Sequence, residues 1–436
     1  DPDAADPRKL LAGEESTDYV GNKLFAINDF LRQTCKPRED WRSAPIEIEI
    51  AGDRVRALLE EWDEYKRDGF DYRLYEHGDY LDLAYHAGIT PAVDVLLIDE
   101  FQDFAPLEYR LFKSWRDSNS IDVIYLAGDP NQSIYSFRGG TPHYFENTAV
   151  DEIIDLKESY RCPQEIASVG NAVLSSHTAT DPRGFEGREA GGSVAWHSIT
   201  EKYELRDAVI ESAENHMKAE TPVMLLTRTN AQLRGLTHDL RDVGVPFEVL
   251  GTYGSVWRGD LRKMLTVLNT LASDGTAYAH SDLRALLPSL PQVSRKDVGL
   301  TGNMGHFIDA EKVAPAFDMF GSAVEVAKSL KLTAWKREIL QNAVDAPAAL
   351  EAQEIKVGTV HTSKGLEAPS VYLFTNTSKR TVQDYGRDAG RAAEEHRVYY
   401  VGTTRASSEL NLVSEYFDGP TAPPIAKIRR NHEVMA

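Results

Sequence analysis

Residues 93–103 place two adjacent carboxylates directly after an apolar run, in the sequence VDVLLIDEFQD. This pattern predicts a fully buried parallel strand whose C-terminal end delivers Asp99 and Glu100 to a cleft. In a site that hydrolyses a nucleotide, the first carboxylate can hold Mg²⁺ and the second can polarise the attacking water. Taken alone, the run is equally compatible with a strand that ends in solvated acids.

A second run, LAGDPNQSIYSFRGG at residues 126–140, ends a strand and then presents Gln132 in a turn. A neutral amide at this point can sense a γ-phosphate or orient water without altering the charge balance. Tyr135, Phe137 and Arg138 follow closely, and aromatic faces with a nearby guanidinium suit stacking on unpaired bases. The alternative interpretation is a hairpin whose aromatic residues belong to a core.

Two later segments add residues that suit a nucleoside or a phosphate. Tyr160 is followed by Arg161 before a helix start, and this pair could stack on adenine and reach a phosphate. Tyr-Arg pairs are also common on protein surfaces. Residues 357–367 (VGTVHTSKGLE) combine small residues, which allow close approach to a phosphate backbone, with Glu367, which could accept a sugar hydroxyl.

The last candidate segment, residues 394–406, is helix-like and presents Arg405 near its end. An arginine that a second domain inserts into a nucleotide cleft stabilises the charge of the transition state. The segment therefore predicts an arginine finger.

Strand-like and helix-like segments alternate through most of the chain after a charged, mainly helical start. The strand candidates are residues 93–98, 122–127, 222–227, 355–360 and 370–374. The helix candidates include residues 104–116, 163–175, 203–219, 230–243 and 390–406. Strands separated by helices predict an α/β fold with parallel sheets. Residues 174–192 are predicted to be a loop or linker.

The same patterns divide the chain into domains. The predicted parts are a mainly helical region at 1–90, the end of a first α/β domain at 91–150, a second α/β domain at 151–270 and 351–418, a small helical insertion at 271–350, and a weakly ordered tail at 419–436.

Composition limits the class of protein. The chain has 436 residues, two cysteines and no apolar run of the roughly 20 residues that a membrane span needs. The lack of such a run predicts no membrane partner. Cys35 and Cys162 provide neither a disulfide framework nor zinc spacing, which predicts a reducing cytoplasm.

The net charge is −20, and 30 Arg outnumber 18 Lys. An acidic balance is unusual for a protein that binds nucleic acid. It is typical of a halophile, where surface acids keep a protein soluble in concentrated salt, and the alternative is an acidic cytosolic protein with acidic partners.

Five motifs in this order resemble the UvrD/Rep/PcrA family of superfamily 1 DNA helicases. The resemblance covers about residues 90–415 and is weakest at 271–350. The segments similar to the family's motifs are the Walker B box at 99–103, the third motif at 128–140, the fourth at 160–161, the strand after it at 223–230, the fifth at 361–367 and the sixth at 399–406.

The resemblance implies two RecA-like parallel-sheet domains, the first incomplete here, with helical insertions. Such domains clamp ATP and Mg²⁺ and move 3′ to 5′ along single-stranded or tailed duplex DNA in repair or replication. By this resemblance Asp99 holds Mg²⁺, Glu100 is the general base, and Gln102 and Gln132 couple the γ-phosphate to DNA. The other residues with implied roles are Tyr160 on adenine, Arg161 and Arg405 on the γ-phosphate, Gly365 and Glu367 on the cofactor with Glu367 at the ribose, and Tyr135, Phe137, Arg138, Thr359 and His361 along the DNA.

The chain departs from the family in lacking a P-loop. It contains no GxxxxGK[ST] and no adenine-reading Gln motif, and it begins at Asp1 without Met. Without the P-loop lysine and its backbone cradle, the β- and γ-phosphates lose their main support. We therefore expect little ATP hydrolysis by this chain alone.

Three explanations for the missing P-loop remain open at this point. The chain is a fragment, or a separate chain supplies the N-terminal segment, or the protein is a degenerate paralogue that binds DNA or regulates without catalysis. Two smaller departures are Phe137, which stands where the family usually has Trp, and residues 271–350, which are short for the family's mobile subdomain. The sequence does not indicate the oligomeric state.

Overall fold

The computed structural model of the protein describes residues 20–68, 74–118, 120–177, 184–189, 191–216, 218–219, 221–251, 260–273, 275–300, 307–345 and 355–435. The helices are α1 (Val20–Gln33), α2 (Gly52–Asp68), α3 (His77–His86), α4 (Pro106–Asp117), α5 (His143–Asn147), α6 (Gln164–Ser175), α7 (Lys202–Asn215), α8 (Asn230–Asp242), α9 (Asp260–Ala272), α10 (His280–Leu286), α11 (Ala310–Phe317), α12 (Ala323–Ser329), α13 (Ala334–Asp345), α14 (Lys379–Arg387), α15 (Ala389–Thr403) and α16 (Pro423–Met435). The strands are β1 (Val95–Ile98), β2 (Val123–Leu126), β3 (Glu158–Pro163), β4 (Glu186–Arg188), β5 (Ser193–Ser198), β6 (Val223–Thr227), β7 (Glu248–Val249), β8 (Ala277–Ala279), β9 (Phe307–Asp309), β10 (Ile355–Thr359), β11 (Ala368–Phe374) and β12 (Ala406–Ser414).

The chain forms two compact units. The first comprises the described residues up to Lys157 together with Asn171–Gly184 and Tyr385–Val401, and the second comprises the rest. The chain therefore passes from one unit to the other within α15. This differs from the sequence-based division, which placed residues 385–401 in the second α/β domain.

Two helices of the first unit, α1 and α2, pack around a small apolar core. Ile27 and Leu31 of α1 are one turn apart, as are Val55 and Leu59 of α2, and all four are buried. Apolar residues at this spacing lie on one face of a helix, so each helix buries a stripe and leaves its charged face outside. The mainly helical character predicted for this region is observed in the described residues.

A parallel pair of strands, β1 and β2, follows these helices. Val95 pairs with Val123 and Leu97 pairs with Tyr125. The parallel pairing was predicted, but the full burial of β1 is wrong, because Val95 and Leu97 are 50% and 72% exposed. A parallel strand becomes buried on both faces only when elements cover both, and the described residues form a sheet of two strands with one open face.

The second unit is built on a six-stranded parallel sheet, which confirms the α/β class. The strand order is β5-β12-β11-β6-β10-β7. The central strand β6 is buried at every residue, in register with β10 through the pair Leu225 and Val357 and with β11 through the pair Leu225 and Tyr372. Its sequence, VMLLT, is the continuous apolar run that a strand buried on both faces requires.

The described part of residues 271–350 is mostly helical, as predicted, and contains α10–α13 with the short antiparallel pair β8 and β9. Its apolar side chains join the large core of the second unit. None of the helices that the structure describes combines the length and apolarity of a membrane span.

The weakly ordered tail predicted from residue 419 is wrong for the described residues. Thr421 forms an antiparallel bridge with Asn376, and α16 follows with Ile425 and Ile428 buried. Pro423 and Pro424 stand in the first turn of this helix. Proline is well suited to that position because the first amides of a helix have no intrahelical partner.

Candidate active site

A first group of candidate residues lies at the carboxyl edge of β1 and β2. Ile98 pairs with Leu126 in parallel register, so Asp99 and Gly128 follow their strands at the same edge of the sheet. The carboxyl edge of a parallel sheet is where ligands of α/β proteins bind. The sequence-predicted carboxylates Asp99 and Glu100 are both exposed there.

Glu100 has an unusual backbone conformation. Its φ of 53° and ψ of 33° lie in the left-handed region. A residue other than glycine adopts this region at a cost of about 1 kcal/mol or more. Its amide donates to Asp99 Oδ1 at 2.8 Å, and the next residue, Phe101, is fully buried. The packing of Phe101 against Phe112 therefore holds a strained Glu100 at the start of the turn.

Gln102 is the buried centre of this first group of residues. Its side-chain Nε2 donates to Glu100 Oε2 at 2.5 Å, and its Oε1 accepts the backbone N–H of Asp129 at 3.1 Å. Gly128 makes room for this amide, because a Cβ at residue 128 would lie 2.2 Å from Gln102 Oε1. The residues of the Walker B-like segment and of the 128–140 loop are thus directly hydrogen-bonded.

Asp129 is a functional candidate that the sequence analysis missed. Its Oδ1 accepts the backbone N–H of Asn131 at 2.9 Å, and its Oδ2 accepts the side-chain Nε2 of Gln132 at 2.9 Å. The sequence signal was present, since an acid directly after a second parallel strand lies at the same edge as Asp99. Gln132 was predicted to be presented by a turn, and the structure shows that this turn, Pro130–Gln132, is capped by Asp129.

The aromatic residues of the same loop face outward. Phe137 is 44% exposed, Arg138 is exposed, and Tyr135 contacts the Phe137 ring edge-on with centroids 6.0 Å apart. Gly139 follows with a φ of 92°, which closes the turn. An exposed ring beside a guanidinium is what stacking on unpaired bases requires, and a core hairpin would have buried it.

A second group of candidate residues lies within the other unit. Tyr160 on β3 is 91% exposed, so its ring is open to stacking. Arg161 Nε forms an ion pair with Glu367 Oε2 at 2.5 Å, and the carbonyl of Arg161 accepts from Arg188 at 3.1 Å. The structure therefore pairs Arg161, the neighbour of Tyr160 on β3, with Glu367.

Arg405 lies just beyond the end of a helix, close to the position that the sequence predicted. Helix α15 ends at Thr403 and β12 begins at Ala406, so Arg405 lies in the turn between them. Its side chain is 1% exposed and donates to the carbonyl of Leu366 at 3.3 Å. In this conformation Arg405 braces the segment that carries Glu367.

Cys162 supports the same region. Burial raises the pKa of its thiol, which therefore stays protonated near neutral pH and donates to the Thr404 carbonyl at 3.6 Å. This contact fixes β3 to the turn that holds Arg405.

The fifth-motif segment forms a tight turn after β10. Thr359 is 6% exposed, and its hydroxyl accepts the Thr362 amide at 3.3 Å, so this side chain stabilises the turn. The sequence analysis had instead placed Thr359 along the DNA. His361 begins the turn His361–Ser363 and is partly exposed. Gly365 has a φ of 82°, and a Cβ at this residue would meet no atom within 4 Å, so there is open space beside its backbone.

The donors present fit Mg²⁺ and part of a nucleotide. Asp99 is an exposed carboxylate at the sheet edge, and Mg²⁺ is usually held by one or two carboxylates with phosphate oxygens and waters. Tyr160, Arg161 and Glu367 offer an aromatic face, a guanidinium and a hydroxyl acceptor. The described residues contain no P-loop, and no GxxxxGK[ST] occurs anywhere in the sequence.

Two protein-family models match segments of this chain. Residues 28–152 match the UvrD/REP helicase N-terminal domain, and residues 319–415 match the UvrD-like helicase C-terminal domain. The first match includes Asp99 to Arg138, and the second includes Thr359 to Arg405. Tyr160 and Arg161 lie between the two matched segments, and the other candidate residues fall within them.

Similar proteins include the ATP-dependent DNA helicase UvrD2 of Mycobacterium tuberculosis, which is 25% identical over 435 residues, covering 94% of this chain and 60% of the relative. The ATP-dependent DNA helicase Rep of Salmonella typhimurium is 23% identical over 405 residues, covering 73% of this chain and 59% of the relative. The chain thus spans about 60% of the length of these relatives. With both family domains in order and the motif residues assembled as described, this chain belongs to the UvrD-like superfamily 1 helicases.

Proposed function

We propose that the protein is the motor of an ATP-dependent DNA helicase or translocase. The observation that carries the proposal is the continuity of the 128–140 loop. One end of this loop is hydrogen-bonded to Gln102, which in turn contacts Glu100, and the other exposes Phe137 and Arg138. A loop that is linked to the hydrolytic carboxylate and also offers a base-stacking surface can couple ATP turnover to movement on DNA.

Each site residue has a proposed role in this reaction. Asp99 would hold Mg²⁺, which supplies charge neutralisation to the phosphates, and Glu100 would take a proton from the attacking water. Gln132 would sense the γ-phosphate. The remaining proposed contacts are those of Tyr160 with adenine, Arg161 and Arg405 with the γ-phosphate, and Gly365 and Glu367 with the ribose side of the cofactor.

The ion pair between Arg161 and Glu367 bears on how a nucleotide would enter. Both side chains are partly exposed, at 31% and 55%, and an ion pair of this kind contributes about 0–1 kcal/mol. Such a pair can exchange for a phosphate and a sugar hydroxyl at little cost. We therefore propose that ATP binding replaces this pair.

The DNA substrate is proposed to be single-stranded or tailed duplex DNA, followed 3′ to 5′, in repair or replication. Direction and pathway rest on the family resemblance alone. Tyr135, Phe137, Arg138 and His361 are the proposed contacts, and Thr359 contributes through the turn that it stabilises.

We propose that a P-loop-bearing segment completes the group of residues at the carboxyl edge of β1 and β2. Val95, Leu97, Val123 and Tyr125 form an open apolar face on β1 and β2, with exposures between 41% and 72%. A face of this kind, next to a carboxylate site, is where a further strand and helix of a parallel α/β domain would pack. The second candidate function is a non-catalytic DNA-binding or regulatory paralogue of such a helicase.

The acidic composition supports a halophilic origin. A net charge of −20 with few lysines keeps a protein hydrated in salt where phosphate attraction is screened to about 3 Å at 1 M. DNA binding would then depend on stacking and short hydrogen bonds.

The test of the proposed function is ATP hydrolysis in molar KCl, measured with and without single-stranded DNA. We expect little turnover by this chain alone and DNA-stimulated turnover once the P-loop-bearing segment of the same source is supplied. DNA binding without any turnover in the completed protein would instead establish the non-catalytic paralogue. Robust turnover by this chain alone would mean that the phosphates are held without a P-loop.

A further inference from the structure

A hydrogen-bonded chain links helix α15 to the proposed general base. The hydroxyl of Tyr400 donates to Asp129 Oδ2 at 3.1 Å, the same oxygen that accepts from Gln132 Nε2 at 2.9 Å. The backbone N–H of Asp129 donates to Gln102, whose amide in turn donates to Glu100. All five residues belong to the first unit.

Helix α15 holds the 128–140 loop at two further points. Arg397 Nε donates to the carbonyl of Ser133 at 2.7 Å, and the Ser136 hydroxyl donates to Glu394. Residues 394, 397 and 400 are spaced by three and therefore share one face of the helix. They meet loop residues 136, 133 and 129 in reverse order, so helix and loop run antiparallel along a polar seam.

Part of the seam is withdrawn from water: Ser133 is buried, whereas Asp129, Ser136 and Arg397 are half-buried. Tyr400 is 4% exposed, Glu394 is 8% exposed and Gln102 is fully buried. A buried hydrogen bond that loses its donor leaves an acceptor unsatisfied, at a cost larger than the net value of the bond. The polar groups of the seam therefore have a strong preference for this one arrangement.

We propose that Tyr400 is a positioning residue for the reaction. Its hydroxyl fixes the Asp129 carboxylate, and through it the side-chain amide of Gln132 and the Gln102 amide that contacts Glu100. The role of Glu100 and Gln132 in hydrolysis rests on the proposed function, whereas the positioning of the loop by Tyr400 does not.

The first experiment compares two variants that differ only in which hydroxyl is lost. Tyr400→Phe removes the donor to Asp129, and Tyr399→Phe removes the neighbouring buried hydroxyl while the Tyr400–Asp129 bond stays in place. Hydrogen exchange of this chain is followed at the amides of Asp129 and Asn131, which donate to Gln102 and to Asp129 itself. We expect about fivefold faster exchange at both amides in Tyr400→Phe, the factor that corresponds to one hydrogen bond of about 1 kcal/mol.

The outcome is decided by the location of the change. Exchange in the buried strand β6 should stay at the parent rate in both variants. If Tyr400→Phe loses structure globally, Asp129→Asn provides the second variant, because an amide has a single acceptor oxygen and cannot accept both from Asn131 on one side and from Tyr400 and Gln132 on the other. Equal loop exchange in Tyr400→Phe, Tyr399→Phe and the parent would overturn the proposal.

The second readout separates positioning from mere support. In the protein completed with its P-loop-bearing segment, Tyr400→Phe should lower kcat for DNA-stimulated ATP hydrolysis about fivefold and leave KM for ATP within about twofold. A change confined to KM would contradict a positioning role. If the completed parent shows no turnover at all, the proposed function fails, while the exchange comparison still decides whether Tyr400 positions the loop.

Discussion

At the scale of single residues, Glu100 carries the most specific chemical assignment. It is exposed, it follows the proposed Mg²⁺ ligand Asp99, and it holds a left-handed backbone conformation that its neighbours enforce. Strain of this kind is concentrated at functional sites because the surrounding structure must determine it. The assignment leads directly to a substitution test.

Glu100→Gln should keep ATP and DNA binding and lose about 100-fold or more of ATP hydrolysis, because a neutral amide cannot accept a proton from water. Turnover is measured in the protein completed with its P-loop-bearing segment. Asp94→Asn is the matched control, since it removes one charge just before β1, at the other end of the strand. Equal rates for Glu100→Gln and the control would remove Glu100 as the base.

Gly128 is the second residue whose identity the site requires. Gly128→Ala should lower the free energy of unfolding by about 2 kcal/mol, because the new methyl group overlaps the buried Gln102 amide. Urea unfolding of the single and double variants measures the effect.

The control for this prediction is the coupling between the two positions. In a Gln102→Ala background the overlap is gone, so Gly128→Ala should cost about 0.5 kcal/mol or less. A cost of equal size in both backgrounds would show that the methyl group meets something other than Gln102.

At the scale of elements, a network of charges holds together α1, α2 and α3, the first three helices of the described residues. Arg32 of α1 and Lys66 of α2 both contact Asp79 of α3, and Arg38 contacts Asp63 of α2. Lys66 is only 4% exposed, so its charge depends on these partners. The network ties the helices by electrostatics in a region whose apolar core is small.

Asp63 gives this network a defined pH dependence. Burial acts to raise the pKa of Asp63, but the charges of Arg38 and Arg32 outweigh it and hold the pKa below its ordinary value of 3.8. A lowered pKa means that the carboxylate stabilises the folded state above about pH 4, and that this contribution is lost as the pH falls through the lowered value.

Asp63→Asn should therefore lower the free energy of unfolding by about 1 kcal/mol at neutral pH, and the difference from the parent should shrink as the pH falls below the ordinary pKa of 3.8. Urea unfolding between about pH 2.5 and about pH 7 measures it. Asp68→Asn, on the same helix with 74% of its side chain exposed, is the control and should have little effect at either pH. A difference that persists unchanged in acid would exclude the charge of Asp63 as its cause.

The sequence predicted elements well where their pattern was local. The strands before Asp99 and Gly128 are continuous apolar runs. These two strands and β10, which ends at Thr359, were each predicted within about two residues of their observed bounds. Strand β12 was missed because the helical pattern of residues 390–406 runs directly into it, and β3 was missed because its sequence, ESYRCP, is polar and ends in proline.

Features that depend on partners distant in the chain could not be predicted. The open face of β1 depends on which elements cover it, and the pairing of Arg161 with Glu367 depends on two residues 206 positions apart. The Tyr400–Asp129 bond spans 271 positions. Residue types identified most of these side chains as candidates, but only the fold shows which of them contact each other.

At the scale of the whole molecule, the net charge of −20 sets the response to salt. Repulsion among surface carboxylates opposes the compact state, and salt screens it while strengthening apolar burial. We therefore expect the helical circular dichroism signal and the cooperativity of unfolding to rise between low salt and molar KCl. A fold that is indifferent to KCl would count against the halophilic interpretation. Sucrose, which favours burial without screening charge, distinguishes the two contributions.

The open apolar face of β1 and β2 has a consequence for handling the protein. Strands with unpaired edges and exposed apolar side chains are sites at which separate chains aggregate, and like charge is one of the ways by which proteins keep such edges apart. Val95 and Leu97 lie on this face in a molecule that carries a charge of −20. Salt that stabilises the folded state also screens the repulsion between molecules. The conditions that best stabilise one copy are therefore those in which two copies most readily associate.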